Sequence, residues 1–493
     1  MAIDSGVLAE ARDRLAIGAA RLSKGRPTIE GREKYVRGEQ DLPFAPKGVN
    51  AEYMALRRQS IANWCELYVN APVQRLSVEG IRTGIGADED EKNATNAAVW
   101  RWFQANKWGK RQSTVFQSIM KHGIGVTSVW PGPRVPVLRP ESLEYVYLHP
   151  DPEDPFAVDW AVKIVTVEVR VPSSLILPDS VARTKDVGWV YDADRVLRFE
   201  RSNGAGEWRV QEQGSMDNPL GRVPFATFDY KLRADGSPWS GLDHMMVQQD
   251  ALNSIRFNTL LAMQFSAFRQ RIISGFDPRV LDDNGEPMYR TDADGEIVLD
   301  ANGLPIPILV DIGKVGVDRL LAFPGADTKV YDLPESNLAN YTAVYDSFLA
   351  AFFAVGQIPP QYQPQKLSNL TGDALAGAES TFASLIKEIQ LAADEGVVET
   401  AELMWIADGR DPDEWEPSAE AAWANAEARS FSQIVDSITK LVSVGFPHRA
   451  AFEFIPGATD QKVERWMDQM DEESFSNQLA QVTRPFVDVT EGA

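Results

Sequence analysis

One cysteine, Cys65, stands in 493 residues, so no intrachain disulfide can form and a reducing compartment is the default. It sits between Trp64 and Glu66 on an apolar helical stretch, where a small core residue is expected rather than a nucleophile. Histidine is scarce too. His122, His149, His244 and His448 lie far apart, none opens a His-Glu-x-x-His pattern, and no zinc site is expected. A phosphate-binding loop is missing, because Gly313-Lys314 is followed by Val315 and lacks the upstream glycine. A Gly-x-Ser-x-Gly elbow is missing as well. No catalytic residue, metal or cofactor is expected. Basic residues are outnumbered, 49 against 71, for a net charge of -22. The imbalance is uneven: residues 391–493 hold 21 acidic and 7 basic side chains, residues 1–80 hold 10 and 12. Tight nucleic-acid grip needs many Lys and Arg on phosphates, so this surface suits DNA that passes without sticking. Long apolar runs are absent. The longest strongly apolar one, Phe348 to Val355, falls far short of the ~20 residues of a membrane helix, and no membrane partner is expected. Met1-Ala2-Ile3-Asp4 shows neither the basic start nor the apolar run of a signal peptide.

What remains is a chain with 44% apolar and 24% charged residues, too long for one ordinary core, which reads as a globular protein of several packed regions. Residues 1–80 are mainly helical in pattern. Leu8, Leu15 and Leu22 share one helix stripe, a loop is expected from Lys34 to Gly48, and a helix from Ala51 to Asn70 ends at Pro72. Val73 to Arg82 suits a short strand. The acidic run Asp88 to Glu91 reads as a solvated turn, followed by helices over Asn93–Asn106 and Gln112–His122. Residues 124–230 turn β-rich, with strands expected at Val126–Trp130, Leu143–Leu148, Trp160–Val171, Gly188–Tyr191, Val196–Glu200 and Trp208–Gln211. One long helix is expected from Trp239 to Ser274, apolar on nearly every side from Leu260 to Phe268.

Residues 276–331 hold three Asx-Gly pairs, Asn284-Gly285, Asp294-Gly295 and Asn302-Gly303, which predict hairpins. A calcium loop is excluded: placing Gly285, Gly295 or Gly303 at loop position six puts Val280, Arg290 or Val298 at position one, and none can ligate. No repeats are expected. Tyr341 to Val398 is the most informative stretch. An aromatic helix carrying Leu338, Tyr341, Tyr345, Phe348 and Phe352 stops at Gly356. A loop rich in proline and glutamine follows, in which Lys366 is the only charged residue. A second helix starts near Thr371 with Phe382, Leu385, Ile386, Ile389 and Val397 on one face. A long polar loop between two strongly patterned helices is usually placed for a purpose.

Three groups of residues carry a family resemblance. They are Tyr35-Val36-Arg37-Gly38-Glu39-Gln40 with Leu42-Pro43-Phe44 and Asn63-Trp64-Cys65-Glu66-Leu67 through Arg75-Leu76; Gly356-Gln357-Ile358-Pro359-Pro360 with Leu367-Ser368-Asn369-Leu370-Thr371-Gly372-Asp373; and Ser430 to Asp436 with Lys440-Leu441 and Gly445-Phe446-Pro447. In order and spacing the chain resembles the portal proteins of tailed bacteriophages, in particular those of long-tailed actinobacteriophages. The resemblance implies an α+β portal-type fold, mainly helical, with a β-rich wing (1–238), two stem helices (239–274 and 332–355), an inserted hairpin-rich clip (275–331), a tunnel loop (356–370), a long wing helix (371–408) and a helical crown (409–493). It implies a homo-oligomeric ring of twelve subunits at one capsid vertex, in the virion, assembled in the host cytoplasm. Double-stranded DNA would pass through the ring in packaging and ejection. Terminase large subunit, a head-completion or adaptor protein, scaffold and major capsid protein would be its protein partners. Gln357, Gln361, Tyr362, Gln363, Gln365, Lys366 and Asn369 would face DNA, and the clip with Asn284, Gly285, Asp294, Gly295, Asn302 and Gly303 would dock motor and adaptor. Two competing readings are a capsid-associated enzyme, for which no clustered carboxylate or Ser/His site is visible, and an acidic adaptor or scaffold that binds only proteins.

Overall fold

Helix α1 (Ser5–Arg37) begins the chain in the computed structural model, which describes residues 4–45, 51–169, 183–202, 206–267, 271–274, 279–309, 329–332, 338–359, 362, 372–425, 431–452, 454–455, 458 and 460–482. The chain divides into two units. The larger comprises Met1–Asp41, Ala62–Asp250 and Ala350–Ala493, the smaller Leu42–Ile61 and Ala251–Leu349.

In the larger unit α1 buries Ala11, Leu15, Gly18 and Leu22, the stripe its seven-residue spacing predicts. The helix runs past the loop expected from Lys34 and ends at Gly38, whose left-handed backbone lets its N–H reach the last carbonyls. It lies on a five-stranded antiparallel meander, β4-β5-β6-β7-β8 (Val146–Pro150, Val158–Val169, Arg183–Tyr191, Arg195–Ser202, Arg209–Asp217). Ala11 and Leu15 join Trp160, Val162, Val190, Leu197 and Phe199 in one core. The helix preceding the sheets is α5 (Trp108–His122), and α3 (Trp64–Val73), β1 (Val78–Arg82) and α4 (Glu89–Ala105) come before it. The acidic run Asp88 to Glu91 is the start of α4 and not the solvated turn its composition predicts: Asp88 Oδ1 accepts from the Glu91 N–H at 2.9 Å and Glu91 Oε2 from the Ala87 N–H at 2.9 Å. Carboxylates suit that end of the helix dipole. The single helix expected over Ala51–Asn70 is two, α2 (Ala51–Gln59) and α3.

A second sheet, ordered β3-β2-β9, pairs β2 (Ile124–Trp130) with β3 (Val137–Glu141) and β9 (Phe225–Asp229), all antiparallel. Strands β3 and β9 escape sequence reading. Pro140 sits in β3, where an edge strand tolerates the missing N–H. Across this sheet runs α8 (Gly372–Ala407), burying Phe382, Ile386, Ile389, Ala393, Val397, Ala401 and Met404 at three- and four-residue steps. The threonine hydroxyls of Thr127 and Thr400 meet in the buried contact at 2.9 Å. After α8 the chain is not purely helical: β12 (Glu420–Trp423) pairs with β1, and Trp423 Nε1 donates to Asp394 Oδ1 at 2.9 Å. Helices α9 (Phe431–Ser443), α10 (His448–Phe452) and α11 (Asp460–Val482) follow.

Helix α6 (Leu242–Ala267) replaces the helix expected over 239–274, and its end is a correction. Arg271–Ser274 forms β10, paired antiparallel with β11 (Lys329–Asp332), with Ile272 opposite Tyr331 and Ile273 opposite Val330. Ile272 and Ile273 are β-branched residues that suit a strand, and a four-residue segment is too short to show a period that separates the two states. Helix α7 (Leu338–Val355) then leads into the polar loop.

Candidate functional site

The loop after α7 is held at both ends by one short segment, α3 and the residues following it. At the entrance, the Gly356 N–H donates to Phe352 O at 2.9 Å, Gln357 to Ala354 O at 3.3 Å and Ile358 to Phe353 O at 2.9 Å. This is a Schellman-type ending in which Gln357 is the left-handed residue (φ 53°). The helix-stopping role read onto Gly356 belongs to its neighbour. Gly356 is closely packed: a Cβ there would meet Met245 Cε at 3.0 Å, Phe352 O at 3.1 Å and Tyr68 Cδ2 at 3.2 Å, so its neighbours would have to give by a few tenths of an ångström. Phe352, Phe353 and Ile358 are buried, and Phe353 meets Trp64 edge to face at 5.6 Å. At the exit, Arg75 donates to both carboxylate oxygens of Glu379, at 2.7 and 3.2 Å, and its guanidinium lies 4.9 Å over the Phe382 ring. Hydrogen bonding to Glu379 raises the Arg75 pKa further, with Tyr362 adding to the field.

The clamp has its own support. Gln249 of α6, fully buried, accepts the Trp64 and Cys65 N–H groups on Oε1 at 2.8 and 3.3 Å and donates from Nε2 to Ala62 O. It caps the α3 N-terminus in place of Asn63, whose side chain donates instead to Val36 O at 2.8 Å. In the sequence Trp64 and Arg75 stand within a family-like motif without this work being evident, and nothing marks out Gln249. Only the pairing across 185 and 304 residues reveals it. Cys65 is buried, and burial pushes its thiol well above the ordinary range, as for a core residue. Of the residues expected to face DNA, Gln357 is exposed and Tyr362 half-buried. Gln361, Gln363, Gln365, Lys366 and Asn369 lie outside the described residues.

In the smaller unit the three Asx-Gly pairs do form turns, and they share one construction. Gly285, Gly295 and Gly303 are left-handed, at φ 85°, 84° and 79°. Asp282 Oδ1 accepts the Asn284 and Glu286 N–H groups at 2.9 and 2.8 Å; Asp292 does the same for Asp294 and Glu296 at 3.0 and 2.9 Å, and Asp300 for Asn302 and Leu304 at 2.8 and 2.9 Å. The signal is an Asp-x-Asx-Gly repeat, so the expectation of no repeats was wrong here. Between the turns the backbone closes two rings of three. Val280 N–H bonds Ile308 O, Ile308 N–H bonds Met288 O and Met288 N–H bonds Val280 O; Arg290, Ile306 and Val298 repeat the circuit. This column leaves Leu281, Met288, Ile297, Leu299, Leu304 and Leu309 between 40% and 62% exposed. Replacing Asp292 by alanine removes two acceptors and is expected to cost the local turn about 1 kcal/mol, seen as roughly fivefold faster amide exchange at Glu296. Unchanged exchange would mean that the backbone rings alone hold it.

Helix α7 is long and apolar enough to cross a membrane by length and composition, yet only 17% of it is buried. Asp346 sits near its middle, and Val344, Phe348 and Val355 are about half exposed. Among the described residues no group of three or more His, Cys, Asp or Glu is arranged to hold a metal.

The profile of the family "Phage portal protein, SPP1 Gp6-like" matches residues 19–475. The portal protein of Mycobacterium phage L5 is 22% identical over 414 residues, covering 82% of this chain and 77% of its own length. The portal protein of Mycobacterium phage D29 is 22% identical over 395 residues, covering 77% and 72%. Among solved structures, a chain from the neck of an empty GTA particle computed with C6 symmetry aligns with a TM-score of 0.39 and 12% identity, over 85% of this chain and 99% of that one.

Proposed function

The chain belongs to the SPP1 Gp6-like family of phage portal proteins, structural capsid components rather than enzymes, and from that premise we propose that it forms a ring through which double-stranded DNA is packaged and later ejected. The observation that carries the reading is the uncovered apolar surface of α7. A helix this apolar with 17% of its length buried needs covering, and a closed ring supplies it from identical copies. In this reading α6 and α7 are the stem, residues 1–238 with α8 the wing, 275–331 the clip and 409–493 the crown. The ring has twelve subunits, sits at one vertex of the virion and is assembled in the host cytoplasm with scaffold and major capsid protein.

The loop over 356–370 then faces the duplex. Gln357, Gln361, Tyr362, Gln363, Gln365, Lys366 and Asn369 offer it amides, a phenol and one cation, which touch phosphates without gripping them. The clamp at Trp64 and Arg75 passes force on the loop into the body of the subunit. The clip turns at Asn284-Gly285, Asp294-Gly295 and Asn302-Gly303 hold exposed apolar side chains on a stiff column, a surface for the terminase large subunit and then the head-completion protein.

Electron-microscopy averages viewed down the symmetry axis test the ring, with a closed ring and central channel expected. A persistent monomer or dimer across salt and protein concentrations would favour an acidic adaptor that binds only proteins. Deleting Gln361–Lys366 is expected to block DNA packaging with the ring intact. Normal packaging by that deletion would remove the loop from the mechanism.

A further inference from the structure

Where the two sheets of the larger unit meet, they enclose a cavity of about 390 Å³ with strands from both as walls. From the three-stranded sheet come Trp130, at the end of β2, and Arg139 and Glu141, two apart on β3 and so on one face. From the five-stranded sheet come Lys163 on β5 and Trp189 and Tyr191 on β6, with Lys163 directly opposite Trp189 in register. Glu141 is fully engaged: Lys163 Nζ reaches both its oxygens, at 2.8 and 2.7 Å, and Ser128 Oγ donates to Oε1 at 2.6 Å. That bridge ties the two sheets together and neutralises the one acid of the cavity.

Besides the indole N–H groups of Trp130 and Trp189, one cation and one hydroxyl are left over. Among the described residues neither the Arg139 guanidinium nor the Tyr191 hydroxyl has a hydrogen-bond or ion-pair partner, and Arg139 is exposed. The cavity thus combines aromatic walls, a phenol and one uncommitted cation, in a chain whose surface is otherwise strongly acidic. We infer that this inter-sheet cavity binds an acidic peptide segment of a partner protein, seating an aromatic or aliphatic side chain between Trp130 and Trp189 with a neighbouring carboxylate on Arg139 and the Tyr191 hydroxyl.

The fit is to a peptide rather than to a nucleic acid. A nucleic-acid strand brings a charge at every nucleotide and is held by several cations, whereas this cavity offers one that is free. A single carboxylate beside one apolar anchor matches one guanidinium and one hydroxyl in number and charge. The walls are strands rather than loops, so the groups are preorganised and little ordering is needed on binding.

The test uses the full chain and a photoreactive probe, acetyl-Glu-(p-benzoylphenylalanine)-Glu-amide. Met216 lines the same cavity and is 43% exposed, which supplies a methionine for the benzophenone to trap. Mass spectrometry is expected to place the cross-link at Met216 or Trp189, with competition by acetyl-Glu-Phe-Glu-amide. The yield should fall about tenfold in Arg139→Ala and be largely kept in Arg139→Lys, at probe concentrations near the weak affinity expected of so small a contact. Arg139 is exposed and unpaired, so the variant should keep the wild-type circular dichroism and melting temperature, which separates loss of binding from loss of fold. Equal labelling by the Gln-flanked probe, labelling indifferent to Arg139→Ala, or competition by adenosine monophosphate as strong as by the acidic peptide would each overturn the assignment.

Discussion

Gly396→Val is expected to lower the stability of the larger unit by about 3 kcal/mol, the upper end of what overpacking a rigid contact costs. A Cβ at 396 meets Thr227 O at 2.4 Å and the Phe228 ring at 2.6 and 2.8 Å. One of those atoms is backbone of β9 and the ring is fully buried, so neither can step aside. Helix α8 would have to lift from the sheet along the stretch that buries Ala393, Val397 and the Thr127–Thr400 contact. The internal control is Gly377→Ala. It lies in the same helix with nothing within 4 Å of its Cβ position and should gain about 0.5–1 kcal/mol from reduced backbone entropy in the unfolded chain. Urea midpoints measured for both variants decide the matter. A wild-type midpoint for Gly396→Val would mean that α8 does not sit this close to β9. The consequence reaches the loop, because Glu379 and Phe382, which fix its exit to Arg75, stand near the start of the same helix.

How far the sequence could be read follows from what each element depends on. The start and buried face of α8 were legible to within a residue or two, since a buried stripe at three- and four-residue steps leaves little freedom, whereas α4 and α5 each begin four residues before the expected start. The turns at Gly285, Gly295 and Gly303 were legible because left-handed backbone selects Asx-Gly locally. Elements that exist through distant partners were not. The break between α2 and α3 is capped by Gln249, and β12, in a tail expected to be helical, forms against β1 across more than three hundred residues, although β1 itself was expected as a strand. Strand β10, Arg271–Ser274, is only four residues long, too short to show a period of its own next to a long helix. The candidate site divides likewise. The polar loop and the Asx-Gly pairs stand out as composition. Arg75, Trp64 and the acceptors Asp282, Asp292 and Asp300 emerge only from geometry, although the Asp-x-Asx-Gly repeat was there to be counted.

Acidification should loosen the C-terminal half of α1, and Glu33 is the group that reports it. Three contacts staple this half of the helix. Arg32 pairs with both oxygens of Asp243 at 2.7 and 2.8 Å, Tyr35 donates to Asp250 at 2.6 Å, and Glu33 accepts from Lys121 with His122 Nε2 at 3.5 Å. The hydrogen bond from His122 first, and then Lys121, hold the Glu33 carboxyl down at about 2 against burial that pushes the other way. A folded-state pKa below the unfolded one of 4.5 means that the stabilisation is complete above pH 4.5 and is lost as pH falls toward 2. His122, 5% exposed, has its pKa lowered by burial, so it too stabilises the fold when neutral and costs stability once forced to take a proton below its ordinary 6.5. Both groups therefore act in the same direction. Since Glu33 keeps about a quarter of its side chain in solvent, screening reduces its share to about 1–2 kcal/mol. The Glu33→Gln variant should be less stable than wild type by that amount at pH 7, and the gap should close by about pH 2. Urea titrations of the two proteins across that range measure it. A gap that stays constant with pH would show that Glu33 acts through packing and that the staple carries no charge dependence.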